Sequence, residues 1–190
     1  MAGPIYAAGR SGSLSVGDLD LPYLGRKCRP EIWEPVPEWP LHEIPATVIC
    51  NELKVDEQNT LSFWSATEGV NGADNIALAF ASNLKSFPES LCIVLVPEED
   101  LREEDVLFEA SPGITSVADM KDRHLNAIRV TPDRMAAIAR YMANGVRSGQ
   151  TVTLYSRQQV IDLLCEAVRV NRLQLNDLKP DVQRAVRAEM

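Results

Sequence analysis

Histidine is scarce in this chain of 190 residues, and the short motifs of common catalytic sites are missing. There is no GxSxG nucleophile elbow, no P-loop, no HExxH zinc motif and no EF-hand loop. The two histidines are His42, in a proline-rich segment, and His124, in a charged one. Because a catalytic triad or a Cys–His pair needs an imidazole beside its nucleophile, the sequence favours a non-catalytic protein over an enzyme.

The cysteines and the apolar runs exclude further classes. Cys28, Cys50, Cys92 and Cys165 form no CxxC pair and lie far from the histidines in sequence, so we predict no metal and no cofactor. No apolar run approaches about 18 residues, which argues against a membrane partner. The first residues lack the basic and apolar regions of a signal peptide, so we expect a cytoplasmic protein, with export by another route left open.

Acidic and basic residues are unevenly distributed along the chain, whose net charge is −8. Residues 46–110 carry 13 acidic and 3 basic side chains, whereas residues 111–190 carry 8 acidic and 12 basic ones. Such an asymmetry can attract a charged partner, or the two segments can neutralise each other within one fold.

The N-terminal quarter differs in composition from the rest. Residues 1–17 are rich in glycine, serine and alanine, which predicts a flexible tail. Five prolines between residues 30 and 45 predict that residues 18–45 form an extended arm, with Trp33 and Trp39 interleaved. These rings either hold the arm on the domain surface or bind a partner, including a second copy of the chain.

Residues 46–190 are expected to form a single globular domain. The runs 47–50 and 61–65 predict a hairpin, and the apolar run 91–96 predicts a strand buried on both faces. Thr131-Pro132 and the capping box of Ser156 and Gln159 predict helix starts, and Pro180 begins a last helix. We therefore predict an α+β fold, or a short α/β fold, with a mixed sheet of about five strands and three to four packed helices.

An acidic run directly after the buried strand is the strongest local signal for a site. Six of its eight residues are acidic: Glu98, Glu99, Asp100, Glu103, Glu104 and Asp105. They could form a solvated helical turn, a protein-binding patch, or an oxygen-ligand site for Mg²⁺.

Three functions follow from these patterns. The first, which we favour, is a binding or regulatory protein of the inhibitor or adaptor type that engages a basic protein through its acidic surface. The second is a carboxylate- or Mg²⁺-dependent hydrolase of phosphate esters. The third is nucleic-acid binding through the arginine-bearing C-terminal helices, which the sequence pI of about 4.8 opposes.

Overall fold

The described residues form one six-stranded β-sheet. The computed structural model describes residues 22–33, 40 and 43–190, so the predicted tail 1–17 lies outside the described residues. The strands are β1 (Tyr23–Cys28), β2 (Leu61–Ala66), β3 (Ser90–Pro97), β4 (Leu107–Ala110), β5 (His124–Ile128) and β6 (Val152–Ser156). Their order in the sheet is β4-β5-β2-β1-β3-β6, and each neighbouring pair is antiparallel. The α+β class is confirmed, with one strand more than the predicted five and no parallel pair among the described strands.

Helices cover both faces of this sheet. The described α-helices are α1 (Pro30–Trp33), α2 (Ala46–Glu52), α3 (Ala73–Ala81), α4 (Glu98–Glu103), α5 (Pro132–Ser148), α6 (Arg157–Arg169) and α7 (Pro180–Glu189). On one face α3, α6 and α7 bury the core that contains Trp64, Ile93 and Val182. On the other face α1, α2 and α5 bury a second core that contains Trp33 and Phe63. The sheet is therefore a buried middle layer.

Part of the predicted arm belongs to the sheet. Strand β1 lies between β2 and β3, so residues 23–28 form one of its two central strands rather than part of an extended arm. Gly25 permits this position, because a Cβ there would lie 2.2 Å from Cδ1 of Ile76 on α3. A strand so close to a helix requires a residue without a side chain.

The predicted strand at 47–50 is wrong, and so is the hairpin that it would form. These residues lie in α2, which follows Pro45 at its N-cap position. Val48 and Glu52, four residues apart, are its buried positions. Helical spacing on one buried face overrides the β-branched composition here, since strand preference depends mostly on packing. Strand β2 pairs instead with β1 and β5.

The helix-start signals of the C-terminal third are confirmed. The Thr131 side chain caps α5 by accepting from the backbone N–H of Arg134, and Ser156 and Gln159 form a complete capping box on α6. Helix α7 begins at Pro180. Helix α5 continues past Gly145 to Ser148 and ends before Gly149, which has a φ of 67°.

Strand β6 lies at one edge of the sheet. Leu154 is 39% exposed, whereas Tyr155, on the face that α6 covers, is 4% exposed. Strand β5 begins at His124, and His124 to Ala127 pair with β2. No helix in the described part of the chain is long and apolar enough to cross a membrane.

Candidate functional site

A cleft opens where β1 and β2 separate. The two strands pair from Tyr23 to Gly25, opposite Ala66 and Trp64, and then part. On its other edge β1 stays paired with β3 as far as Cys28. The split leaves a gap inside the sheet, and the residues that follow β1 and precede β2 surround it. The two strands and the segment that connects them therefore form the cleft together.

Arg26 lies in this gap. Its Nη1 donates to the carbonyl oxygen of Ser62 at 2.8 Å, and its guanidinium carbon lies 5.7 Å from the ring centre of Phe63. Its Nε is buried and has no hydrogen-bond partner among the described residues. Burial lowers the pKa of the Arg26 guanidinium, while the charge of Glu52 acts in the opposite direction. Leaving a buried donor without a partner costs about 1–3 kcal/mol, so an acceptor that reached Nε would offset that cost.

An ion pair between Arg29 and Glu52 forms one wall. Nε of Arg29 donates to Oε2 of Glu52 at 3.2 Å, and its Nη2 donates to the carbonyl oxygen of Asn51. The Glu52 side chain is 4% exposed, and burial raises its pKa although Arg29 lowers it. The pair joins the C-terminal end of α2 to the end of β1, which fixes both segments beside the cleft.

A tight turn before β2 forms the opposite wall. Oδ1 of Asp56 accepts from the backbone N–H groups of Gln58 and Thr60, at 3.0 and 2.8 Å, and Oδ2 accepts from the Thr60 hydroxyl at 2.7 Å. The hydrogen bond from Thr60 lowers the pKa of Asp56. Asn59 has a φ of 60°, which asparagine tolerates in turns. Residues 56–59 form a turn, which the Asp56 carboxylate stabilises through these three hydrogen bonds.

The cleft has a volume of about 430 Å³ and a positive lining. The lining residues are Arg26, Lys27, Arg29, Asn51, Glu52, Lys54, Asp56, Thr60, Ser62 and Phe80. They comprise four cations and two carboxylates, in a chain whose net charge is −8. Within the described residues Lys27 and Lys54 have no ion-pair partner.

This arrangement can bind an anionic group. Arginine and lysine N–H groups make charge-assisted hydrogen bonds to phosphate and carboxylate oxygens, and these bonds are stronger than neutral ones. The volume lies within the range of about 300–1,000 Å³ that is usual for small-molecule sites. Phe80 adds an apolar surface to one side, so the ligand that fits best is a small organic anion.

Sequence reasoning missed this site. Its residues come from β1, α2, the turn before β2 and α3, which are separated along the chain and meet only in the folded sheet. One signal was available: Arg26, Lys27 and Arg29 lie within four positions in a strongly acidic protein. Because these residues were assigned to an extended arm, the cluster was not interpreted as part of a binding site.

The predicted acidic run lies elsewhere, on α4 and the residues after it. Glu98 accepts from Nη2 of Arg102 at 2.6 Å, and Glu104 pairs with Arg140 at 2.9 Å. The other four carboxylates, which have no ion pair in the described part of the chain, are Glu99, Asp100, Glu103 and Asp105. Three of the four are exposed and Asp100 is half-buried. The run is thus a solvated helical turn with part of its charge neutralised.

Those tryptophans and histidines noted in the sequence analysis that the structure describes belong neither to the cleft nor to the acidic run. Trp33 is fully buried in the second core, so its ring offers no surface to a partner, whereas Trp39 and His42 lie outside the described residues. Nδ1 of His124 lies 2.8 Å from the carbonyl oxygen of Ser111, and its ring packs edge-on against Trp64. Burial lowers the pKa of His124. Its contacts are those of a core residue.

Many arginines of the C-terminal third are in ion pairs. Arg140 pairs with Glu104, Arg172 with Asp119, and Arg169 and Arg184 with acids on their own helices. These pairs reduce the positive charge that the C-terminal helices could offer to phosphates.

Within residues 22–33, 40 and 43–190, no three His, Cys, Asp or Glu side chains are grouped so that they could hold a metal ion. Comparison of the chain with known protein families, curated proteins and solved structures finds no match.

Proposed function

We propose that this protein is a non-catalytic binding protein that takes a small organic anion into the cleft between β1 and β2. The observation that carries the proposal is the buried Nε of Arg26, a cationic donor without a partner at the cleft. A ligand oxygen at this nitrogen satisfies the donor and neutralises part of the local positive charge.

The neighbouring residues suit this role. Lys27 and Lys54 line the same cleft without an ion pair among the described residues, so their ammonium groups are available to the ligand. The Arg29 side chain is already bound to Glu52 and to the carbonyl oxygen of Asn51. These contacts fix its position at the edge of the cleft. Preorganised charges of this kind reduce the entropy that is lost on binding.

Calorimetric titration of the full chain with sulfate, pyrophosphate and citrate tests the proposal. Sulfate, which probes the anionic group of the ligand, is expected to bind with 1:1 stoichiometry, more weakly as salt increases. Arg26→Met keeps most of the side-chain length and removes the charge and the donors. We expect it to weaken binding about tenfold or more, since a charged hydrogen bond contributes roughly 1.5–3 kcal/mol.

Arg157→Met is the matched control. Arg157 also lies over a phenylalanine ring, 5.6 Å from that of Phe87, but it does not line the cleft. Its removal should change the affinity less than twofold. The proposal is wrong if none of the three anions binds at millimolar concentration, or if both arginine variants lose affinity equally.

A second candidate function is the binding of a basic protein through α4 and the residues after it. It is favoured by the four unpaired carboxylates named above, two of which, Asp100 and Glu103, also act on Tyr141. Burial raises the pKa of Tyr141, and the nearby Asp100, Glu104 and Glu103 raise it further. Such a surface attracts cationic partners and speeds their association.

Polylysine binding at low salt tests this candidate. The fourfold variant Glu99→Gln, Asp100→Asn, Glu103→Gln, Asp105→Asn should reduce polylysine affinity severalfold, whereas its sulfate affinity should stay within twofold. Equal polylysine binding by both proteins would rule out this surface. For either function we propose the cytoplasm as the site of action.

A further inference from the structure

Two cysteines face each other across the centre of the sheet. Cys28 on β1 and Cys92 on β3 are directly opposite partners in an antiparallel pair, and their sulfur atoms lie 3.0 Å apart. Both are free thiols and both are buried. Opposite residues in antiparallel strands have Cα atoms about 4.5–5.5 Å apart, within the range of about 4.4–6.8 Å found in disulfides. The backbone is therefore already placed for a bond between them.

The other two cysteines are not placed in this way. Cys50 is exposed on α2. Cys165 is buried in the core on the opposite face of the sheet, where its thiol contacts the carbonyl oxygen of Val186. Cys28 and Cys92 belong together to the core beneath α5, so the sheet separates them from Cys165. A disulfide within the native chain is consequently specific to one pair.

We propose that Cys28 and Cys92 form a dithiol site that closes to an intramolecular disulfide by exchange with a small-molecule disulfide such as oxidised glutathione. One cysteine, as the thiolate, attacks the glutathione disulfide, which releases one glutathione thiolate and leaves a mixed disulfide. The second cysteine loses its proton and displaces the other glutathione. Overall two protein thiols are oxidised to one disulfide, one glutathione disulfide is reduced to two thiols, and the two protons pass to the departing thiolates.

The surroundings govern when the exchange takes place. The hydrogen bond with Cys92, followed by burial, raises the pKa of the Cys28 thiol far above its usual range. Because the thiolate is the reacting form, the folded, reduced protein should exchange slowly. During folding the same thiols are exposed, and formation of the β1–β3 pair brings them together. The oxidation state of Cys28 and Cys92 should therefore depend on the redox conditions under which the chain folds.

The closed disulfide should stabilise the fold. It joins residues 64 positions apart. A loop of this length removes much conformational entropy from the unfolded chain, so the Tm of the oxidised protein should exceed that of the reduced protein by roughly 10 °C. This inference is independent of anion binding, and neither result decides the other.

Refolding of the full chain from urea in buffers of varied glutathione ratio tests the proposal. Free thiols are trapped by alkylation and the peptides are identified by mass spectrometry. In oxidising buffer we expect a cross-linked peptide that contains Cys28 and Cys92, and a Tm that falls when a reductant is added. The double variant Cys50→Ser, Cys165→Ser should behave identically, since it keeps only the proposed pair.

Cys92→Ser should form no intramolecular disulfide, and its Tm should not respond to the reductant. Should this variant fail to fold, peptide mapping of the double variant still decides the matter. The proposal is overturned if residues 28 and 92 remain reduced at every glutathione ratio, or if the native disulfide involves Cys50 or Cys165.

Discussion

The cleft and the acidic run differ in the sign of their charges and in how these charges are distributed along the chain. In the cleft, cations from separate segments converge on a gap in the sheet, and Arg26 presents a buried Nε without a partner. In the acidic run, six carboxylates follow one another closely along the chain, and two of them are neutralised by arginines. In the cleft one cation, Arg26, is half-buried while Lys27, Arg29 and Lys54 are exposed, whereas most carboxylates of the acidic run are exposed.

This difference matters because the surrounding medium sets the strength of a charge. Interactions between exposed charges are screened by solvent and salt, and each contributes about 0–1 kcal/mol. A charge that is partly removed from water interacts more strongly with whatever enters its surroundings. The shorter and less conspicuous cluster at Arg26 is accordingly the better candidate for specific binding, and the acidic run the better candidate for long-range attraction.

The largest expected effect comes from filling the space that lets β1 lie against α3. In Gly25→Val, the new Cβ would meet Ile76 Cδ1 at 2.2 Å and Leu95 Cδ2 at 2.9 Å. Overpacking of this kind costs about 1–3 kcal/mol, so urea unfolding should show a loss in that range. Sulfate affinity should fall too, because β1 carries Arg26. Glu103→Gln on α4 is the control, and its stability should stay within about 0.5 kcal/mol. Equal losses of stability in Gly25→Val and Glu103→Gln would show that the cleft region and the acidic run do not differ in this respect.

A smaller effect is expected from the protonation of Glu52. Because burial raises its pKa, fold stability and sulfate affinity should both increase as the pH falls through the raised value. Protonation removes a negative charge that competes with the ligand for Arg29 and Arg26. Asp56, whose pKa is lowered, keeps its charge over the same range. Between pH 8 and 5 we expect an increase in sulfate affinity of about threefold, which corresponds to roughly 0.7 kcal/mol.

Titration of Glu52→Gln checks the assignment. Sulfate keeps a constant charge across this range, so the pH dependence reports on the protein. The variant should bind sulfate more tightly than the unchanged protein at pH 8 and should lose the pH dependence. An identical slope in both proteins would show that another group is responsible.

Local patterns predicted much of the C-terminal third. The cap at Thr131, the capping box at Ser156 and the helix from Pro180 depend on hydrogen bonds and dihedral angles within a few residues, so the sequence suffices for them. The same holds for the run 91–96, whose six buried residues form the interior of β3. The acidic run was correctly expected to admit a helical turn, although its binding role stays a prediction.

The N-terminal part and the cleft were not predictable in this way. Thr47, Val48 and Ile49 have the composition of a strand, and their helical packing depends on contacts with distant residues. Residues 23–28 contain a glycine and two charged residues, and they become a central strand because β2 and β3 pair with them. Strand pairing between distant segments leaves little trace in a single sequence.

The sequence by itself determined a fold of mixed helices and strands, the helix starts set by caps and prolines, and the excess of negative charge in 46–110, because each depends on composition or on neighbouring residues. Only the tertiary structure decided that β1 parts from β2 after Gly25, that Arg26 meets Lys54 at one cleft, and that Cys28 faces Cys92. These contacts join residues up to 64 positions apart in sequence. They form because burial of the whole sheet between two layers of helices stabilises the fold that contains them.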